Sequence, residues 1–301
     1  MVLEKAYKKL SGRIADVRRN EPMAVHTSFK VGGTADIMVV PSSDYEMRHA
    51  VNTAHKLKIP MLVIGRGTNL LVTSKGLRGM VLKLAENYSG VEINGEDVYV
   101  KSGTSLFALV RECISQGLGG AEFLGGIPGT VGGAVYMNAG AYGGEIKDFV
   151  KEVYLCAPGG DLSLSNESMS FGYRCSVLQT MPMAVKHVHL RLLRCSAEQS
   201  KKKLAVLNEK RREKQPLEHP SAGSTFKRPK GGFAGAMIEQ AGLKGLKIGG
   251  AEVSTKHAGF IVNSGGATPD DIIELIKLVQ ARVKEATGIL LEPEVKIIGE
   301  R

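Results

Sequence analysis

The 301-residue sequence has no tryptophan, and aromatic residues make up only 5% of it. A single-stranded nucleic-acid surface built on base stacking therefore has little to draw on. Cysteine is also sparse. Cys113, Cys156, Cys175 and Cys195 are widely spaced and form neither a C-x-x-C pair nor a zinc-ligand pattern. No metal site is expected, and reduced thiols are the simplest reading. No apolar run approaches the ~20 residues that cross a bilayer, which excludes a membrane-spanning helix. The start, Met1-Val2-Leu3-Glu4-Lys5, has no apolar h-region, so no secretory signal and a cytoplasmic location are expected. The nucleotide and hydrolase signatures G-x-G-x-x-G, G-x-x-x-x-G-K-[ST] and G-x-S-x-G are absent too.

What is abundant is glycine and positive charge. There are 37 glycines, eleven of them between Gly117 and Gly144. They follow no triplet period and sit among apolar residues, so collagen and disorder both fail. Tight turns and close approach of backbone to a ligand remain. The formal net charge is +10, concentrated in Lys201-Lys202-Lys203, Lys210-Arg211-Arg212 and Lys214. No aromatic residue interleaves this run, so phosphates on small ligands suit it better than nucleic acid. A solvated basic surface is the plainer alternative.

The 43% hydrophobic content supports a sizeable core and more than one domain. Leu3, Tyr7, Leu10 and Ile14 predict an amphipathic helix over 1–20. Strands are predicted at 36–40, 61–64, 80–84, 91–93, 98–101, 150–156 and 188–193. Helices are predicted from Ser42 or Ser43 to about Lys58, and from Thr104 or Ser105 to about Gln116. A charged helix at 197–214 reads as a domain junction. Beyond it come a helix near 233–241, strands near 251–253 and 260–262, a long helix capped by Thr268 with Pro269 in its first turn, and a strand at 295–298. Strands and helices mix without β-α-β alternation, which predicts an α+β protein.

Two glycine loops stand out as anion cradles. The first, Gly65-Arg66-Gly67-Thr68-Asn69-Leu70-Leu71, follows a strand. The second runs from Gly125 through Gly126-Ile127-Pro128-Gly129-Thr130 to Gly132-Gly133-Ala134, and on to Asn138-Ala139-Gly140. Each alone is equally a structural turn. Together they suggest a dinucleotide held outside the NAD manner, and FAD fits best.

These loops, with Phe171–Ser176, Ala222-Gly223-Ser224-Thr225-Phe226-Lys227 and Leu291-Glu292-Pro293-Glu294-Val295, stand in the order found in UDP-N-acetylenolpyruvoylglucosamine reductases. The opening His26-Thr27-Ser28-Phe29-Lys30-Val31-Gly32-Gly33 also resembles that family, so the resemblance covers essentially the whole chain. It implies an FAD-binding domain of the vanillyl-alcohol-oxidase (PCMH) type over 1–195, in two subdomains of roughly 1–80 and 81–195. A C-terminal α+β substrate-binding domain would follow over 196–301. It implies non-covalent FAD, NADPH as donor, and a UDP-N-acetylglucosamine enolpyruvate substrate, with no nucleic-acid or membrane partner.

The resemblance carries catalytic roles to Arg174, Ser224 and Glu294, which spacing alone does not single out. FAD contacts are expected from Gly65 to Leu70, from Gly126 to Thr130, and from Gly132, Gly133, Ala134, Asn138 and Gly140. Arg211, Lys214, Lys227 and Gln240 are the expected substrate contacts, with His257 and Asn263 behind them. Only 13 residues separate Arg174 from Val188, so the chain looks like the shorter type, without the family's extra tyrosine-bearing loop. Arg228 departs from the family, which often has asparagine before that proline. Two rivals remain open at this point: another flavin oxidase or dehydrogenase of the same fold, and a basic nucleotide- or nucleic-acid-binding protein without catalysis.

Overall fold

The computed structural model describes residues 2–181 and 183–300. Its first helix is shorter than predicted. Helix α1 (Val2–Ser11) ends before Gly12, and the chain then enters a strand at Val17–Pro22. Leu10 and Ile14 are both buried, so the apolar spacing marks burial correctly. Gly12, a poor helix former, follows the last helical residue, short of where the spacing extended the helix. Residue 1 of that predicted helix lies outside the described residues.

The described chain falls into two units that interleave in sequence. The first comprises Met1–Asn20, Asp36–Arg66 and Gly79–Lys210; the second comprises Glu21–Ala35, Gly67–Arg78 and Arg211–Arg301. The sequence alone suggests consecutive stretches instead, roughly 1–80, 81–195 and 196–301. Its markers were local, whereas this division follows long-range packing. Phe29, Val31 and Leu71 are buried in one cluster with Phe226, Ile261 and Val295.

Two sheets lie wholly or largely in the first unit. One has the strand order Val17–Pro22, Thr34–Val39, Leu77–Lys83, Met61–Ile64, its last two strands parallel with Met61 opposite Met80. Helix α2 (Asp44–Lys56) starts on the Ser43 cap, whose hydroxyl accepts the Glu46 N–H. Met47, Ala50, Val51 and Ala54 of α2 join Ile37, Val39 and Leu82 in one core. The other sheet is antiparallel, in the order Gly160–Ser165, Val150–Ala157, Ala184–Arg191, Asp97–Lys101, Val91–Asn94. Val98, Val100, Val153, Leu155, Val188 and Leu190 alternate onto one face. There they pack with apolar residues of α3 (Leu106–Ser115) and α4 (Val131–Met137).

Helix α5 (Ala197–Lys214) buries only Ser200 fully, though Leu204 and Leu207 touch the core. Ser200 belongs to a buried polar cluster. Its hydroxyl donates to Glu122 Oε1 at 2.7 Å, the Gly120 N–H donates to the same oxygen at 3.0 Å, and Lys203 Nζ lies 2.9 Å from Oε2. Burial pushes the Glu122 pKa up, but these donors outweigh burial and hold it down at about 2. A depressed carboxylate stabilises the fold fully above its ordinary value near 4.5, and that contribution disappears as pH falls toward 2. Urea midpoints of the wild type should therefore drop across this window. Glu122→Gln should flatten that drop while costing stability at neutral pH.

The second unit packs α6 (Ala234–Gln240) and α7 (Pro269–Thr287) beside a three-stranded sheet, Lys247–Ile248, Ala251–Val253 and Ile261–Asn263. The predicted Thr268 cap of α7 is present as a capping box with Asp271, and Gly288 closes the helix in the left-handed region. The last strand, Lys296–Ile298, pairs in parallel with Leu70–Val72, with Lys296 opposite Leu70. Among the described residues, no helix is long and apolar enough to cross a membrane.

Candidate active site

Within the second unit, two residues expected to be catalytic are held on adjacent backbone. The Lys227 N–H donates to the Glu292 carbonyl at 2.8 Å, Phe226 bridges Pro293 antiparallel, and the Glu294 N–H donates to the Thr225 carbonyl at 2.8 Å. This ladder sets Ser224 beside Glu294. Thr225 is buried and anchors the loop, its N–H donating to the Gly259 carbonyl and its hydroxyl accepting from the Ile261 N–H. Gly223 before it takes φ 75° with nothing crowding it, and Ser224 is exposed.

The same unit contains the later part of the first glycine loop. Asn69 Nδ2 donates to the Glu294 carbonyl at 3.2 Å, and the Lys296 N–H donates to the Asn69 carbonyl at 3.0 Å. Gly67 stands at φ 65°, where a Cβ would overlap the His26 carbonyl, so only glycine fits. Residues 67–70 thus share a unit with Ser224 and Glu294, while Gly65 and Arg66 belong to the first.

In the first unit the two cradles meet. A Cβ on Gly65 would overlap Thr130 Oγ1, which caps α4 and is itself buried. Gly132 lies against Ser102, whose hydroxyl is buried with no hydrogen-bond partner among the described residues. Gly133 meets nothing nearer than Thr130 Oγ1, at 3.5 Å. Bare backbone, close approach and an orphaned hydroxyl fit a bound dinucleotide such as FAD. Exposed Arg66 pairs with Glu86, its Nη2 2.6 Å from the carboxylate.

Arg174 lies in the first unit, half-buried, in a tight turn closed by reciprocal Gly172 and Cys175 hydrogen bonds. Its φ of 56° is costly for a residue with a side chain, of order 1–3 kcal/mol. The guanidinium donates to the Gly140 carbonyl at 3.1 Å and lies 5.0 Å from the Tyr173 ring centroid. Burial raises the Glu145 pKa, but Lys147, Asn138 and the Arg174 charge together hold it low. The groups that hold Arg174, among them Asn138 and Gln179, carry no spacing signal that would have marked them for this. Asn138, expected at the cofactor, is fully buried. Its Nδ2 donates to the Gly172 carbonyl and its Oδ1 accepts the Lys147 N–H.

The four expected substrate contacts all lie in the second unit. Lys227 forms an ion pair with Glu292, Gln240 is exposed at the end of α6, and Lys214 is exposed at the end of α5 with Arg211 one turn earlier. Asn263 is consumed internally, donating to the Phe29 carbonyl and accepting the Gly265 and Ala267 N–H groups. His257 is desolvated, which lowers its pKa, and its Nδ1 accepts the Gly259 N–H. Arg228 lies 4.1 Å from the Phe233 ring centroid, a cation–π contact. No cluster of three or more potential metal ligands occurs among the described residues.

A family model described as UDP-N-acetylenolpyruvoylglucosamine reductase, C-terminal domain, matches residues 215–298, and one described as FAD binding domain matches 35–164. UDP-N-acetylenolpyruvoylglucosamine reductase from Syntrophomonas wolfei is 48% identical over 285 residues, covering 94% of this chain and 95% of that one. The enzyme of the same name from Caldanaerobacter subterraneus is 49% identical, covering 94% and 93%. Among solved structures, UDP-N-acetylenolpyruvylglucosamine reductase from Thermus caldophilus superposes with a TM-score of 0.82 at 35% identity, covering 94% of this chain and 98% of that one. A more distant likeness, to the glucose dehydrogenase Phl p 4.0202, is one of fold alone, with TM-score 0.50 and 16% identity over 63% of this chain and 44% of that one. The α+β class expected from the sequence is present, as an FAD-binding domain with a reductase-type C-terminal domain. On identity over nearly its whole length, on both domain matches and on fold, the chain belongs to the UDP-N-acetylenolpyruvoylglucosamine reductase family.

Proposed function

We propose that this FAD-dependent reductase takes electrons from NADPH and reduces the enolpyruvyl group of UDP-N-acetylglucosamine enolpyruvate to UDP-N-acetylmuramate, in the cytoplasm, for peptidoglycan precursor synthesis. The two glycine loops would hold FAD non-covalently, and bound there it would supply the hydride for the terminal carbon of the enol ether. Arg174 stands as a fixed cation where negative charge builds on the substrate carboxylate. Glu294 hydrogen-bonds the same group. Ser224 donates a proton to the adjacent carbon, which completes the reduction. Arg211, Lys214, Lys227 and Gln240 contact the substrate, with the basic pair meeting phosphate.

The observation that supports this most is the backbone ladder joining 225–227 to 292–294, which sets the Ser224 and Glu294 backbones on neighbouring segments from positions seventy residues apart. Neither residue is needed there by the core, since Ser224 is exposed and Glu294 only half-buried. The test is an anaerobic cycle of the purified holoenzyme. NADPH should bleach the flavin, and the enolpyruvyl substrate should restore it. NADPH should also outpace NADH, because its extra phosphate meets basic side chains. That advantage should shrink as salt is raised, since exposed charges are screened over ~8–10 Å at physiological ionic strength. Stopped-flow bleaching rates for both donors across a salt series check this. Equal rates throughout would remove the basic residues from donor choice.

A further inference from the structure

Helices leave their last carbonyls without partners inside the helix. At the end of α4 the Tyr136 carbonyl is taken twice, by Ser176 Oγ at 3.0 Å and by Gln179 Nε2 at 3.2 Å. The same Gln179 nitrogen donates to the carbonyl of Arg174 itself, at 3.0 Å. One amide therefore ties the arginine's own backbone to the helix. From the other side Asn138, the left-handed cap of α4 at φ 42°, donates its Nδ2 to the Gly172 carbonyl at 2.9 Å. Residues 172–176 are thus clasped at three points to the last turn of the helix whose first turn carries Thr130 and Gly132 of the second glycine loop. Arg174 needs such a clasp, because a side-chain-bearing residue keeps a left-handed φ only where its surroundings over-determine it.

We infer that Gln179 is a positioning residue, which fixes the Arg174 backbone to the C-terminal turn of α4 and so aims the guanidinium at the substrate carboxylate. This rests on the reading that Arg174 meets the charge developing on substrate. The guanidinium donates to the Gly140 carbonyl, in a hairpin whose Tyr142 and Gly143 both take positive φ. A released turn would let the head group drift, and a misplacement of about 1 Å costs on the order of 100-fold in rate.

The test uses Gln179→Met, which keeps the length of the side chain and removes both N–H donors. Dithionite-reduced holoenzyme is mixed with the enolpyruvyl substrate under anaerobic conditions, and flavin reoxidation is followed. Gln179→Met should slow reoxidation about 10- to 100-fold, with flavin content and the rate of reduction by NADPH unchanged. Placed on an Arg174→Ala background it should add nothing further, because it acts through that arginine. Wild-type reoxidation by Gln179→Met, beside an impaired Arg174→Ala, would overturn the inference alone. So would a full additional loss in the double variant. Normal reoxidation by Arg174→Ala would overturn the role of the arginine, and this inference with it. Should Gln179→Met fold poorly, Gln179→Glu sets a carboxylate against the same two carbonyls, and the same outcomes apply.

Discussion

Ser224→Ala enzyme is expected to bind FAD, to be reduced by NADPH at the wild-type rate, and to reoxidise on the enolpyruvyl substrate at least ~10²-fold, and up to ~10⁴-fold, more slowly, the range a positioned acid supplies. The split between the half-reactions follows from where a proton is needed. Reducing the flavin involves no proton at substrate carbon, whereas completing the product does. The substitution is also mild for the fold. Ser224 is exposed, and among the described residues its hydroxyl has no hydrogen-bond partner, so its loss should change stability within about ±0.5 kcal/mol. Thr225, not Ser224, anchors the loop to Gly259 and Ile261. Stopped-flow traces of the two half-reactions read the effect directly. Equal slowing of both would make Ser224 a turn residue rather than a proton donor.

Arg174→Ala carries the second large effect. Removing one group that stabilises developing charge in a closed site typically costs ~10²–10³ in kcat, or ~2.7–4 kcal/mol. The loss should fall on substrate turnover and spare flavin reduction. The backbone strain is not relieved by the change, since alanine dislikes φ 56° as arginine does. Arg174→Lys should recover part of the rate only, because an ammonium keeps the charge but loses the planar fork that matches a carboxylate. Glu145 reports the change from the structural side. Its depressed pKa draws partly on Arg174, so titration should move it upward in Arg174→Ala and little in Arg174→Lys. Steady-state rates with thermal melts at matched flavin loading separate catalysis from folding. Retention of more than a tenth of wild-type turnover by Arg174→Ala would place the critical charge elsewhere.

Local signals in the sequence carried the elements that local chemistry determines. Thr268 with Pro269, Ser105 and Ser43 mark helix starts because capping is a matter of adjacent residues. Met61–Ile64 is a strand as predicted, bounded by Pro60 and Gly65. Gly160–Ser165 was missed, since an edge strand with burial on few positions shows no clear alternation. The interleaving of the two units along the chain leaves no local signal either. Residues 21–35 and 67–78 pack with the C-terminal segment through Phe29, Val31 and Leu71, contacts that leave no periodicity to read.

The site divides along the same line. Its glycine loops were legible because glycine is rare where a Cβ would serve, and Gly65 against Thr130 supplies the reason. The pairing of 225–227 with 292–294, and of Leu70–Val72 with Lys296–Ile298, is long-range register that no single segment encodes. Arg174, Ser224 and Glu294 were therefore reachable only through family resemblance. The groups that hold Arg174 in its turn became visible only with the hydrogen bonds in hand.

The bound flavin should be reoxidised by the enolpyruvyl substrate and by no other acceptor in the mixture. The most direct measurement mixes reduced holoenzyme anaerobically with limiting UDP-N-acetylglucosamine enolpyruvate and quantifies oxidised flavin and UDP-N-acetylmuramate together. Reoxidation within the mixing experiment is expected, with one product formed per flavin reoxidised. A flavin that stays reduced until oxygen is admitted, with the substrate recovered unchanged, would contradict it.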